Sequence, residues 1–104
     1  MVGFAAKVTD VPSGEARRVV VGGHEVCLAN LGGDGFRAIG DLCSHAEARL
    51  HEGEVDVEEA TIECPRHGSL FDLNTGRPRS LPATLSVATY AVTAEGDDLM
   101  MEVE

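Results

Sequence analysis

The chain has 104 residues, which fits one domain spanning residues 1–104 and leaves little room for a second. Acidic residues outnumber basic residues by 18 to 8, and the formal net charge of −10 argues against nucleic acid or an anionic membrane as partner. No apolar run approaches the roughly 18 residues of a membrane-spanning helix. The first residues lack the basic start and apolar centre of a signal peptide, so we expect a cytoplasmic protein.

Glycine-rich turns divide both ends of the chain into short apolar runs. Gly22-Gly23 separates residues 17–21 from residues 25–29 and predicts a tight hairpin with a primed turn. Near the C-terminus, a Glu-Gly-Asp-Asp turn separates residues 87–92 from residues 99–103. Runs of this length, bounded by turn residues, predict an all-β fold. Residues 54–59 could form one turn of helix, and no other helix is predicted.

Two short motifs in the middle of the chain combine cysteine with histidine. Cys43-Ser44-His45 and Cys64-Pro65-Arg66-His67 are separated by eighteen residues. Each motif lies in glycine-rich, turn-like sequence and supplies one thiolate and one imidazole. The four candidate ligands are therefore Cys43, His45, Cys64 and His67, a set that suits either zinc or an iron–sulfur cluster.

The order of the ligands favours the iron–sulfur cluster. Zinc fingers usually carry two cysteines on one element and two histidines on another. Here each motif carries one of each, which suits a two-iron cluster with both thiolates on one iron and both imidazoles on the other. That ligation defines the Rieske type of cluster. A structural zinc-binding module stays open as an alternative.

The two motifs, together with Gly68-Ser69-Leu70-Phe71-Asp72 after the second, resemble the signature of the Rieske 2Fe–2S family. Residues 75–78 and 81–83 resemble the proline-containing loop that covers the cluster in that family. The final strands, residues 85–94 and 99–103, match its C-terminal hairpin. The resemblance implies the Rieske fold, an antiparallel β sandwich or partial barrel with a smaller cluster-binding subdomain at about residues 40–82.

The resemblance also implies what the chain binds and does. It implies one Rieske-type 2Fe–2S cluster, with Cys43 and Cys64 on the inner iron and His45 and His67 on the outer iron nearest solvent. The short form of the chain resembles the soluble ferredoxins of bacterial ring-hydroxylating oxygenases. We therefore expect a one-electron carrier between a ferredoxin reductase and a terminal oxygenase, and not an enzyme itself. An accessory protein of iron–sulfur assembly or nitrite reduction is the alternative within the family.

Departures from the membrane-bound Rieske proteins indicate the low-potential branch of the family. Ala48 and Arg66 stand where those proteins carry the cysteines of a disulfide between the two cluster loops. Phe71 stands where they carry a tyrosine that donates a hydrogen bond to a ligand sulfur. Because such hydrogen bonds stabilise the reduced cluster, their loss is expected to lower the reduction potential.

Three further features of the sequence need an interpretation. Cys27 lies in an apolar run and is predicted to be a buried core residue. His51 is a weaker ligand candidate, because the loop from Cys43 to His51 is longer than a Cys-x-His turn. The segment between the motifs holds seven acidic residues, which are either a solvated surface or a face that steers a basic partner: Glu47, Glu52, Glu54, Asp56, Glu58, Glu59 and Glu63.

Overall fold

The computed structural model describes residues 1–44 and 47–103, which form ten β-strands in antiparallel pairs. The strands are β1 Val2–Lys7, β2 Ala16–Val21, β3 His24–Asn30, β4 Phe36–Gly40, β5 Val55–Asp56, β6 Thr61–Glu63, β7 Leu70–Asp72, β8 Thr89–Tyr90, β9 Val92–Glu95 and β10 Asp98–Glu102. The helical elements within these ranges are three-residue 3₁₀ turns at Val8–Asp10, Gly32–Asp34 and Leu50–Glu52. The predicted all-β class is confirmed.

The strands form three sheets. A central sheet has the order β2–β3–β4–β8, a second sheet has the order β1–β10–β9, and a small sheet has the order β5–β6–β7. The small sheet comes from the chain between β4 and β8, together with the two Cys/His motifs. Both motifs therefore lie in the single segment of chain that connects β4 to β8, two strands of the central sheet.

The hairpin between β2 and β3 has the predicted two-residue turn. Val21 pairs with His24, so only Gly22 and Gly23 connect the strands. Their φ angles are +58° and +84°, the left-handed conformation that a type I′ turn requires at both positions. Through this turn β3 pairs with β2 along one edge, and it pairs with β4 along the other.

Strand β3 is buried on both of its faces, which explains why its sequence is apolar without alternation. Val26 and Leu28 pack in a core shared with the β1–β10–β9 sheet, which we call the far core. Cys27 and Ala29 point to the opposite face and pack in a core that includes both motif cysteines, which we call the loop-side core. All four side chains are inaccessible to solvent.

The C-terminal prediction is correct in its turn but wrong in its first strand. Residues 85–94 were expected to form one continuous strand, yet residues 85–88 form none. The remainder divides at Ala91: β8 pairs with β4 in the central sheet, and β9 pairs with β10 in the second sheet. Ala91 is thus the point at which the chain passes from one sheet to the other.

The helical turn predicted within residues 54–59 is also wrong, because Val55–Asp56 is the edge strand β5. Val55 pairs with Ile62 of β6. Exposed Glu54, Asp56 and Glu58 alternate with half-buried valines, the period of two that a strand shows. The 3₁₀ turn lies earlier, at Leu50–Glu52.

Gly53, just before β5, lies too close to β6 for a side chain to fit. A Cβ atom at Gly53 would lie 1.6 Å from the carbonyl oxygen of Glu63, a backbone atom that cannot move alone. We expect Gly53→Ala to destabilise the protein by about 2 kcal/mol or more, as overpacking does. Thermal unfolding of the protein measures the effect, at roughly 4–8 °C per kcal/mol for a domain of this size.

Gly33→Ala is the matched control, because nothing lies within 4 Å of a Cβ atom at Gly33. That variant is expected to unfold within a few degrees of the wild type, or slightly above it. Equal midpoints for the two variants would contradict the close contact between Gly53 and Glu63.

Candidate metal centre

The two motifs lie in loops that are closed in the same way. The backbone N–H of Cys43 donates to the carbonyl oxygen of Ala48 at 2.9 Å, and that of Cys64 donates to Ser69 at 2.8 Å. In both loops the bond joins a cysteine to the fifth residue after it. We call residues 43–48 the first loop and residues 64–69 the second loop.

The loops bring the two motif cysteines into the same core. Cys43 is 4% exposed and Cys64 is fully buried, and both pack in the loop-side core beside Phe71. The side chain of His67 is exposed. His45, the fourth predicted ligand, lies outside the described residues. The structure therefore shows the two thiols on the inside of the loops and one imidazole on the outside.

The second loop depends on a glycine for its shape. Gly68 has a φ of +74°, the left-handed region that residues with a Cβ atom avoid. Its backbone N–H donates to the carbonyl oxygen of Cys64 at 2.9 Å, so the chain turns back sharply after His67. This turn places the histidine at the tip while the cysteine stays in the core.

The proline-containing segment touches both loops, as a covering segment would. Ala83 N–H donates to the hydroxyl oxygen of Ser69 at 3.0 Å. On the other side, the Ser44 hydroxyl donates to the carbonyl oxygen of Leu85 at 2.5 Å. Ser69 is itself fully buried and keeps its own hydroxyl hydrogen for donation. Residues 83–85 thus connect the first loop to the second.

Cys27 is a core residue, as predicted. It is fully buried in β3, and this burial, followed by the nearby charge of Asp41, raises the pKa of its thiol far above the usual range. Cys27 therefore remains a neutral thiol. Because the thiolate is the form that binds metal, Cys27 is not a candidate ligand. The odd third cysteine is therefore explained by packing.

His51 is occupied by a partner that sequence reasoning missed. Its Nδ1 lies 2.8 Å from a carboxylate oxygen of Asp41, and Asp41 is fully buried. Nothing in the sequence marks Asp41 as buried, because an acidic residue after a glycine is typical of an exposed turn. The longer loop from Cys43 to His51 is thus held by a hydrogen bond between side chains.

A second group at the base of the first loop was also missed. Glu25 accepts a hydrogen bond from Arg18 Nη2 at 2.8 Å, and Arg49 Nη1 lies 3.2 Å from its other oxygen. The hydrogen bond from Arg18, followed by the charge of Arg49, lowers the pKa of Glu25 below its ordinary value. All three side chains are substantially exposed, so each pair contributes little to stability.

The seven acidic residues between the motifs are all exposed. Glu47 and Glu52 line a shallow hollow with Pro65 and Arg66 of the second loop. The acidic residues of β5 and the following turn line a separate groove with Arg79. Two members of the acidic segment therefore lie beside the second loop, and the other five line the groove near Arg79.

The residues of the two loops fit a cluster that would be held by buried thiolates on one iron and by an exposed imidazole on the other. Two thiolates buried among apolar side chains are stable only beside a positive partner, which an iron ion supplies. An exposed imidazole on the same loop can bind a second iron near solvent. Together with the paired loops, this donor set suits a Rieske cluster better than a compact zinc site.

Fold and loops together define the molecule as a β protein whose metal centre is built from two Cys/His loops. The sequence matches the Rieske [2Fe-2S] domain family over residues 2–91, so the chain belongs to that family. The cofactor of the family is one Rieske-type 2Fe–2S cluster, which confirms the predicted cofactor.

Several known proteins are similar over nearly the whole chain. The 3-phenylpropionate/cinnamic acid dioxygenase ferredoxin subunit of Escherichia coli K12 is 43% identical over 100 residues, covering 96% of this chain and 92% of its own. The ferredoxin of carbazole 1,9a-dioxygenase from Nocardioides aromaticivorans IC177 superimposes with a TM-score of 0.94, 36% identity and coverage of 100% and 99%.

A third similar structure contains a partner. It is a complex of reduced oxygenase and oxidised ferredoxin in carbazole 1,9a-dioxygenase, with a TM-score of 0.85, 32% identity and coverage of 96% and 100%.

Within the described part of this chain, no helix has the length and apolar character needed to cross a membrane.

Proposed function

We propose that this chain is a ferredoxin that carries single electrons from a ferredoxin reductase to the terminal oxygenase of a ring-hydroxylating dioxygenase system. The cluster supplies a one-electron redox centre when it is bound. Cys43, His45, Cys64 and His67 are its proposed ligands, within a single domain whose residues 40–82 form the cluster-binding part. The proposed site of action is the cytoplasm.

The observation that carries this proposal is the pair of matching loops. They hold Cys43 and Cys64 in the core and leave His67 at an exposed tip. An exposed ligand allows an electron to cross to a docked protein without passing through the fold. The identity to dioxygenase ferredoxins over the whole length favours an oxygenase partner over iron–sulfur assembly or nitrite reduction.

The side chains around the loops have roles in holding the site rather than in chemistry on a substrate. Ser69 and Ser44 fix the covering segment, and Phe71 fills the core beside Cys64. Among the described residues around the loops, no side chain is an activated nucleophile with a positioned base. As an electron carrier, the chain needs another protein to act on a substrate.

A direct test replaces the ferredoxin subunit of the E. coli dioxygenase with this chain in a reconstituted assay. Product formation should depend on the added chain and should disappear when the His67→Ala variant is used. Product formation that is equally fast without the chain would contradict the proposed role.

The ligand assignment predicts loss of the Rieske centre on replacement of either histidine. His45→Ala or His67→Ala removes half of the protein ligands of the outer iron, so the Rieske signal in electron paramagnetic resonance should be abolished. Because metal binding stabilises the folded chain, these variants should also unfold at lower temperature. His24→Ala is the control, and an intact Rieske signal in either ligand variant would contradict the assignment.

The side chain of Phe71 predicts a low reduction potential. It is fully buried in the same core as Cys64 and has no hydrogen-bond donor, so the midpoint should lie near the low end of the roughly −150 to +300 mV Rieske span. Phe71→Tyr should raise the midpoint by roughly 40 mV if the hydroxyl reaches a ligand sulfur, which corresponds to a hydrogen bond of about 1 kcal/mol.

Protein-film voltammetry measures both potentials, with Phe36→Tyr as a control at a half-buried position that packs against the far core. A wild-type midpoint near the top of the span would contradict the low-potential branch.

The acidic segment predicts that association with a basic partner slows as salt rises. Exposed charges act over about 10 Å at 0.1 M salt but only about 3 Å at 1 M. Replacing Glu47 and Glu52 with Gln should lower the association rate more than it changes the dissociation rate, because both residues lie beside the second loop. The measurement is the second-order rate of electron transfer from a reductase at several salt concentrations.

A matched control removes the same charge elsewhere. Glu95 and Asp97 are exposed near the turn between β9 and β10, which belong to the second sheet. Their replacement by Gln and Asn should change the rate much less. A rate that does not respond to salt would show that the acidic segment is only a solvated surface and does not steer a partner.

A further inference from the structure

A buried carboxylate at the base of the first loop has no role in the function proposed above. Asp41 is fully buried and lies two residues before Cys43. Among the described residues, Thr61 and Ser69 are the only other polar side chains that are buried. A buried charge is costly unless it is well hydrogen-bonded, so the partners of Asp41 indicate what it does.

Three donors from the far end of the loop converge on Asp41. The backbone N–H of His51 donates to Oδ1 at 2.9 Å, and His51 Nδ1 lies 2.9 Å from Oδ1 and 2.8 Å from Oδ2. Because a carboxylate only accepts, Nδ1 carries the hydrogen. Leu50 N–H donates to the carbonyl oxygen of Asp41 at 2.7 Å. Asp41 therefore joins the chain entering the first loop to the chain leaving it.

The second loop has a different support. It connects β6 and β7, which pair over three residues and are flanked by β5. The first loop follows β4, which ends at Gly40, and among its described residues the one ladder contact is an isolated bridge between Leu42 and Arg49. With less backbone pairing, the first loop depends more on side chains to keep its shape.

Among the described residues, the side-chain contact of the first loop that has a fully buried member is the one between Asp41 and His51, whose own side chain is 24% exposed. The Glu25–Arg49 contact ties this loop to β3 and the Ser44 hydroxyl ties it to Leu85, but both of these contacts are exposed. Exposed ion pairs contribute little. A charged acceptor in a fully buried position makes a stronger bond, and the loss of its donor costs more.

We propose that Asp41 and His51 form a positioning pair that holds the first loop in the shape that receives and retains the cluster. This inference rests on the proposed ligand set, since the pair acts through the loop that carries Cys43 and His45. Loss of the cluster requires Cys43 to leave its place in the loop-side core. Because the bonds between Asp41 and His51 hold the chain on both sides of Cys43, they slow that movement.

Two substitutions at His51 separate its hydrogen bond from its bulk. His51→Leu removes the Nδ1 donor and leaves the Asp41 carboxylate with the backbone N–H alone. His51→Asn keeps a side-chain N–H near the position of Nδ1. Lys7→Met is the matched control, because it removes the charged partner of another carboxylate, Asp98, on the β1–β10 pair.

The primary measurement is the rate at which an iron chelator bleaches the visible spectrum of the purified, cluster-loaded protein. His51→Leu should lose its cluster about tenfold faster than the wild type, and His51→Asn within about threefold of it. Hydrogen exchange of the Cys43 and Leu50 amides should accelerate in His51→Leu, while the amides of β3 are unchanged.

Three results would overturn the inference. They are unchanged cluster retention in His51→Leu, equal acceleration in His51→Asn, and equal acceleration in Lys7→Met. If His51→Leu is obtained only without a cluster, His51→Asn decides: normal loading supports the pair, and absent loading overturns it. A wild-type protein without a Rieske signal contradicts the proposed function instead, so the two failures are distinguishable.

Discussion

The structure depends on one hydrogen bond made twice, from the backbone N–H of a cysteine to the carbonyl oxygen of the fifth residue after it. In each loop this bond holds the cysteine in the core, and in the second loop the next three residues are exposed. The small sheet, the covering segment and the base of the first loop all hold these two closed turns in place. The large sheets contribute a rigid layer from which the loops extend.

The ligand set also suits the charge of the molecule. An oxidised Rieske centre with two thiolates is neutral, and reduction adds one negative charge to a chain of net charge −10. An all-cysteine cluster would carry two further negative charges in each state, close to the acidic segment. The proposed imidazole ligands, being neutral, would therefore limit the repulsion that the extra electron meets.

The sequence predicted features that depend on neighbouring residues and missed those that depend on distant ones. The Gly22-Gly23 hairpin follows from the left-handed φ of glycine. The break at Ala91 could not be predicted, because it depends on β4 and β10 competing for one apolar run. The burial of Asp41 was missed for the same reason, since its partner His51 lies ten residues away. The ligand motifs stood out because metal chemistry restricts residue type and spacing.

The two-sided burial of β3 gives the molecule a functional end and an inert end. Val26 and Leu28 face the far core, whereas Cys27 and Ala29 face the loop-side core, so one layer of backbone separates the cluster loops from the β1–β10–β9 sheet. A linker, dye or electrode attached at the β9–β10 turn would hold the molecule by the inert end. An immobilised layer made in this way would present the tip that carries His67 to the solution in one common orientation.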